Sequence, residues 1–269
     1  MTIRPHWTTL LMAIVAGFCL LVILFGGLIE TVLDPRAMNL DWRLSPPLTH
    51  GFLLGSDAFG RDVAARMLAG LRWSVSIATL ATLIASVIGV TLGLVAARRE
   101  SWLSTLLRQI TTFTQAFPAF VLAVTVIAIL RGNGIQAVVL TLGLITWPVF
   151  ARVAYAEGQA IFQREYVLAA AMMGMSRMRL YLRHVLPGLV PSLSVLIVFH
   201  FAEMIIAESA LSFLGIGTPM GAPTWGVMLS ESQTYIRDAP WLLIAPAGAI
   251  VTLIMTAHLF AQHLRTRAP

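Results

Sequence analysis

Two carboxylates and an imidazole, Glu203, Glu208 and His200, fall within or at the outer edge of one long apolar run. Ionisable groups in such a run are costly to leave in hydrocarbon, so they face a cavity, a pathway or a partner. On an ideal helix His200 and Glu203 share a face, and Glu208 sits about 140° round from Glu203. Glu203 is expected either to line a pathway, where it attracts cations, or to match a buried group on a partner. Glu208 either does the same or anchors the loop that follows by hydrogen bonds. Met204 completes a His-Glu-Met trio of metal-ligating types, but one helix turn supplies too few ligands to assign a metal site. The candidate pathway residues are therefore His200, Glu203, Met204 and Glu208.

A second constellation reads Gly55-Ser56-Asp57-Ala58-Phe59-Gly60-Arg61-Asp62. Its local reading is Asp57 capping a helix that begins near Ala58, with Asp62 and Arg66 paired at i,i+4. Its other reading is contact with a partner. A third lies between residues 155 and 188. Residues 157–173 suit a helix centred on small alanines, with Gly174 as its stop, and Ser176 is placed to cap a second short helix ending before Pro187. This loop joins a basic face to an alanine cluster small enough for a partner's backbone to approach.

The elements that position these groups are apolar. Of 269 residues, 58% are hydrophobic and 11% charged, and mean hydropathy is +0.85. A soluble domain needs more charge to cover its surface. A bilayer core of roughly 30 Å takes about 20 apolar residues in a helix. Six segments qualify: 10–29, 74–97, 110–130, 135–154, 189–207 and 241–260. The expected fold is all-α, a polytopic membrane protein of about six transmembrane helices. Residues 1–73 form an N-terminal helix and external segment, and 74–269 a five-helix core. Arg131-Gly132-Asn133-Gly134 is a tight turn, so the third and fourth spans are antiparallel. Gly89 and Gly93 form a helix-packing G-x-x-x-G, and Pro118, Pro148 and Pro246 are expected kinks.

All 18 basic residues are arginine. Six spans put both termini on one side with Arg98, Arg99, Arg108, Arg152 and the 155–188 loop, a side holding 11 arginines against 7 on the other. That bias makes the loop side cytoplasmic. The net charge of +6 is then a topology signal rather than a nucleic-acid footprint. The single cysteine, Cys19, sits in the first apolar run, which excludes a disulfide framework. The first run lacks a small-x-small cleavage site and is expected to be a retained helix.

The loop from Leu168-Ala169-Ala170 through Gly174 to Leu186-Pro187 resembles the "EAA…G…LP" loop of ABC-importer permeases. Leu54 to Val63 resembles the "LGTDxxGRDV" signature of their dipeptide/oligopeptide/nickel family. Glu208-Ser209-Ala210-Leu211-Ser212-Phe213-Leu214-Gly215, Pro223-Thr224-Trp225-Gly226 and Ala239-Pro240-Trp241 are similar to that family's "ExxLSFLGLG…PxWG…APW" tail. The resemblance is to the family's "C"-type permease. It departs at Leu168, where the motif has Glu, with Glu165 one turn earlier as the substitute. It departs also at Gly188, where the family has Asn, and at 261–265, where the acidic ending is missing.

The resemblance implies a non-enzymatic subunit with no resident cofactor. It implies four kinds of partner: a homologous second permease, two cytoplasmic ATPases that bind ATP and Mg, an extracytoplasmic substrate-binding protein, and the lipid bilayer. The chain carries no G-x-x-x-x-G-K-[ST] phosphate loop of its own. It places ATPase coupling on Glu165, Leu168, Ala169, Ala170, Gly174, Ser176, Arg179, Leu186 and Pro187, and the external motif on Gly55, Asp57, Gly60, Arg61 and Asp62. Peptides and nickel or metal chelates remain alternative substrates, and location in a bacterial inner membrane follows. A secondary transporter or channel without an ATPase is the rival reading; it leaves the loop unexplained and lacks a coupling-ion cluster. A membrane scaffold leaves all three motifs unexplained, and a membrane enzyme lacks a nucleophile–base pair.

Overall fold

The computed structural model describes residues 26–28, 30–98, 102–130, 134–217 and 223–267. The first expected span lies almost wholly outside the described residues. Among those described, the regular structure is helical, with two isolated β-bridges, Thr49–Phe52 and Ser56–Asp62, in the segment before the first long helix. Four helices are long and apolar enough to cross a membrane, or five if a bent pair counts as one span.

Helix α1 (Val63–Ala97) has 35 residues, about 52 Å of helix for a hydrocarbon core of about 30 Å. It therefore stands out of the membrane at one end. The start of the second span was expected at residue 74; instead the last residues of the segment before it and the span are one helix, and the division at 73/74 falls inside it. Asp62 caps α1, accepting from the Ala64 N–H at 2.7 Å. Neither a helix starting near Ala58 nor an Asp57 cap forms.

The third expected span is broken. Helices α2 (Trp102–Ala116) and α3 (Ala119–Leu130) meet at 92°. Pro118 lacks an N–H and disfavours helical backbone at Phe117, so the chain turns there. Helix α4 (Ile135–Phe162) then packs against α3, with Ala123 and Ile127 meeting Val138 and Val139. Pro148 is accommodated within α4 without ending it. After the loop helices α5 (Glu165–Met172) and α6 (Arg177–Leu180), a π-turn at Tyr181–Val185 leads directly into α7 (Leu186–Phe213). The second loop helix was expected to end before Pro187. Pro187 instead occupies the first turn of α7, where its missing N–H costs nothing. Helix α8 (Trp225–Ser232) is short and lies at the same end of the bundle as the start of α1, and α9 (Trp241–Arg267) closes the bundle.

The core divides along the bundle. One cluster gathers Val75, Ala78 and Ala81 of α1 with Leu142, Ile205, Leu211, Trp225 and Leu253. The other gathers Ala85 and Leu94 with Phe150, Ala154, Val167, Ala170, Val185 and Leu189. Small residues make α1 and α4 the closest pair. A Cβ on Gly89 would stand 2.6 Å from the Phe150 Cβ, and one on Gly93 would stand 2.9 Å from the Ala154 Cβ. Lipid supplies no hydrophobic drive between helices, so this close van der Waals approach holds them together.

Gly89→Val is expected to destabilise the chain by about 1–3 kcal/mol through overpacking, read as a lower unfolding midpoint in detergent. Gly248→Val is the control, because no atom lies within 4 Å of a Cβ there. Equal shifts for the two would contradict the tight α1–α4 contact.

Candidate functional site

Helix α4 ends where Arg164 adopts an extended backbone, and α5 starts at once on a new axis. The expected single helix over 157–173 is thus two. Its stop is a complete Schellman turn: the Gly174 N–H donates to the Ala171 carbonyl at 3.1 Å, and the Met175 N–H to the Ala170 carbonyl at 3.2 Å. Gly174 has φ +82° and open space around its Cβ position, so backbone handedness, not crowding, calls for glycine. Ser176 stands at the N-cap position of α6 without a side-chain cap bond.

The alanine cluster divides by face. Val167 and Ala170 are buried against Ile161, Leu180, Val185 and Leu189 and fix α5 to the bundle end. Leu168, Ala169, Met172 and Met173 point outward, Met172 with 86% of its surface free. Glu165, Arg179 and Pro187 are exposed, and Leu186 is half-buried. The loop therefore presents a firmly held apolar knob beside a basic strip.

At the opposite end, Asp57 is a buried hub. Its Oδ1 accepts from the backbone N–H groups of Phe59 at 2.8 Å and Arg61 at 3.0 Å. Its Oδ2 accepts from Arg61 Nε and Arg66 Nη1, both at 2.6 Å. Glu231 of α8 closes the square, 2.7 Å from Arg66 Nη1 and 3.3 Å from Arg61 Nη2. The ion partner of Arg66 is therefore Asp57, and not Asp62 as expected. Gly55 and Gly60 permit this turn. Both have positive φ, the Ser45 carbonyl stands 2.7 Å from where a Gly55 Cβ would lie, and the Asn39 carbonyl blocks the same place at Gly60. The Trp241 indole N–H, donating to the Ser56 carbonyl at 3.2 Å, ties the turn to α9.

The four intramembrane candidates separate. His200 is buried between the two core clusters, with Nδ1 3.2 Å from Thr82 Oγ1 and its ring edge-on to Phe150 at 4.9 Å. Met204 is buried in the outer cluster. Glu208 is fully buried and accepts from Ser212 Oγ at 2.7 Å and Ser209 Oγ at 3.5 Å, with the hydroxyls of Ser74 of α1 and Thr224 ahead of α8 beside it. It holds α1, α7 and the α8 entrance together within this chain. Glu203 alone lies on an exposed flank of α7, within electrostatic reach of His258 of α9. His200 and Glu203 thus straddle the edge of the buried face instead of sharing it.

The family model described as "Binding-protein-dependent transport system inner membrane component" matches residues 89–268. The chain belongs to this family. It is a permease subunit of an ABC importer. It is 33% identical to the glutathione transport system permease protein GsiD of Pectobacterium atrosepticum, over 97% of this chain and 89% of that one. It is 32% identical to the dipeptide transport system permease protein DppC of Alkalihalophilus pseudofirmus, over 82% and 71%. A putative peptide transport system permease protein of Brucella suis is 35% identical over 86% and 77%.

In this permease, sequence reasoning found the Asp57 turn and the loop but missed Glu231 and His258. Neither carries a local signal. Glu231 lies 170 residues from Arg61, and His258 reads as one polar residue in an apolar helix.

Asp57→Ala leaves two buried guanidinium groups short of a partner and is expected to cost about 3–5 kcal/mol, measured by thermal unfolding of the purified permease. Glu231, whose side chain is 31% exposed, should cost less when replaced by Gln. A small effect for Asp57→Ala would show that the square does not hold the external turn.

Proposed function

We propose that this permease pairs with a homologous second permease to enclose a pathway for short peptides or peptide-like amines, and that its 155–188 loop docks into a cytoplasmic ATPase. The observation carrying the docking is the outward knob of Leu168, Ala169, Met172 and Met173, which the described residues leave uncovered while anchoring its other face. Small and flexible apolar side chains on a rigidly held turn suit a cleft that must move with the turn as one body. Movement of that cleft on nucleotide binding would rock α4 and α7 through α5. Such a switch shifts only as far as the partner's affinities for the two arrangements differ. ATP and Mg belong to the ATPases, and substrate arrives from an external binding protein. The arginine bias supports a cytoplasmic loop and cytoplasmic termini in a bacterial inner membrane. The names of the relatives favour peptides over nickel or metal chelates.

Glu203 is the pathway residue in this reading. It sits in a hydrophobic span, exposed on the isolated subunit, and a carboxylate there does not face lipid; even insertion scales put Asp at the helix centre at about 2.5–3.5 kcal/mol. The flank of α7 carrying Glu203, with His258 of α9 beside it, would then face the second permease, with the carboxylate turned to the ammonium group of the substrate.

The docking claim is tested with Ala169→Cys in a Cys19→Ser background. The thiol is expected to react with an impermeant maleimide in inside-out vesicles and not in intact cells, and the bulky adduct to abolish ATP-driven uptake while the subunit stays inserted. Labelling from outside would reverse the topology, and unimpaired uptake by the adduct would remove the loop from coupling.

For Glu203, the Gln substitution is expected to lower uptake at least several-fold with normal complex yield and basal ATP hydrolysis. Reduced yield would mark it instead as a buried match for the partner subunit. No change in either quantity would take it out of the pathway altogether.

A further inference from the structure

The flank that exposes Glu203 carries a second ionisable group, and it comes from another helix. His258 of α9 is half-buried there. Its ring makes a T-shaped contact with Phe199 of α7, the centroids 5.2 Å apart. Phe199 and Glu203 are i,i+4 neighbours on α7, so they lie one above the other on one face. The imidazole and the carboxylate therefore share this flank, within electrostatic reach of each other. No ion pair within 4 Å joins them.

The backbone sets the tautomer of His258. Nδ1 lies 2.9 Å from the Ile254 carbonyl, one turn earlier in α9. A carbonyl only accepts, so Nδ1 carries the proton and donates it, and in the neutral ring Nε2 holds a lone pair. Among the described residues no hydrogen bond reaches that nitrogen. Tied at Nδ1 and packed against Phe199, the ring offers an acceptor beside a carboxylate in an otherwise apolar span. A carboxylate and an imidazole lone pair side by side call for a ligand with positive charge and N–H donors. A primary ammonium has both, and it can give protons to the two acceptors at once. A zinc-like ion takes about four ligands, and among the described residues no three His, Cys, Asp or Glu side chains gather to hold one.

We propose that Nε2 of His258 is a second acceptor for the ammonium group of the substrate, working beside Glu203, and that acidification switches this site off. The inference rests on the pathway reading of Glu203 given above and adds to it a selectivity for N–H donors and a dependence on pH. Protonated His258 has no lone pair to offer; its charge repels the ammonium and is drawn to Glu203 instead. Other charges stand apart. On α7, His200 is turned to Thr82 and Glu208 is held by Ser212. Arg66 of α1 and Glu231 of α8 stand beside Leu242, about 24 Å along α9 from His258. Arg72 is paired with Glu30, and Arg98 lies toward Tyr181. On α9 itself Arg265 shares the face of His258 about 10 Å further on, and His263 sits about 140° round.

NMR of the full chain in detergent, labelled with nitrogen-15 at histidine, tests this with two added cations. Methylammonium carries N–H donors; tetramethylammonium carries the same charge and none. The His258 signals are assigned by their loss in His258→Gln. The wild type is expected to show the neutral tautomer protonated at Nδ1, with an Nε2 resonance that methylammonium shifts saturably and tetramethylammonium does not. Because proton and ammonium compete for one lone pair, methylammonium should bind at least fivefold more weakly at about pH 5.5 than at about pH 8. Glu203→Gln is expected to abolish the response and Glu203→Asp to keep it, which separates loss of charge from loss of fold. His263→Gln should respond like the wild type. A tautomer protonated at Nε2, equal shifts from the two cations, or a response indifferent to acid or to Glu203→Gln would each overturn the proposal. Normal uptake by Glu203→Gln despite a methylammonium response in the wild type would overturn the pathway reading itself. Reduced uptake by that variant, with no methylammonium response in the wild type, would overturn only the role of His258.

Discussion

Close contact between α1 and α4 is the constraint on which the other parts depend. In lipid the side chains of two helices gain nothing by leaving water, so the pair is held by van der Waals approach, and approach needs small residues. The contact runs the length of the bundle: Gly143 meets Ile84, Gly89 and Gly93 meet Phe150, Ala151 and Ala154, and Gly158 meets Leu94 and Ala97. Once α1 and α4 are fixed, α7 has a groove to occupy. The polar pair Thr82–His200 falls where the three helices meet, between the two apolar clusters.

The two ends of this pair are finished by different physics. At its N-terminal end α1 begins before the apolar run and is gripped by ions. Asp57, Arg61, Arg66 and Glu231 join the external turn, α1 and α8. Such a square is costly to assemble and costly to break, because each group is already out of water. Glu208 performs the same office one layer deeper with hydroxyl partners in place of charges. At the other end, no such ion pairs occur among the described residues. α5 is held by apolar burial of Val167 and Ala170 and by the Schellman turn at Gly174, with Leu180 and Val185 buried beyond it, while Leu168, Ala169, Met172 and Met173 face outward. One end is built as a clamp and the other as a presented surface, an asymmetry that suits a subunit driven from one side of the membrane.

The broken third span adds a further asymmetry. α3 has 12 residues, about 18 Å, too short to cross by itself, while α2 is turned aside by Pro118 and carries its apolar residues outward. The chain thus places polar groups, Arg108 and Arg152 among them, in a cleft between α1, α2 and α4.

Much was legible in the residues themselves. Long apolar runs with few charges dictate membrane helices whatever their neighbours, since backbone polar groups in lipid must be bonded within the helix. Three ordered motifs pointed to the family, and a glycine after an alanine helix marked the Schellman turn, because handedness at one residue is a local property. Helix junctions were less legible. The merging of the external stretch into α1, the break at Arg164 and the passage of α7 through Pro187 each depend on whether tertiary contacts reward continuing the helix. Partner choice was not legible at all. Arg66 with Asp57 and Glu231, Glu208 with Ser74 and Thr224, and Glu203 beside His258 are meetings across nine to more than a hundred residues. The sequence determined that these charges must find partners, since burial in a low-dielectric interior leaves them no alternative. Only the crossing of α1, α4, α7 and α9 decided which groups came within reach, because a hydrogen bond or ion pair needs a few ångströms of spatial, not sequential, proximity.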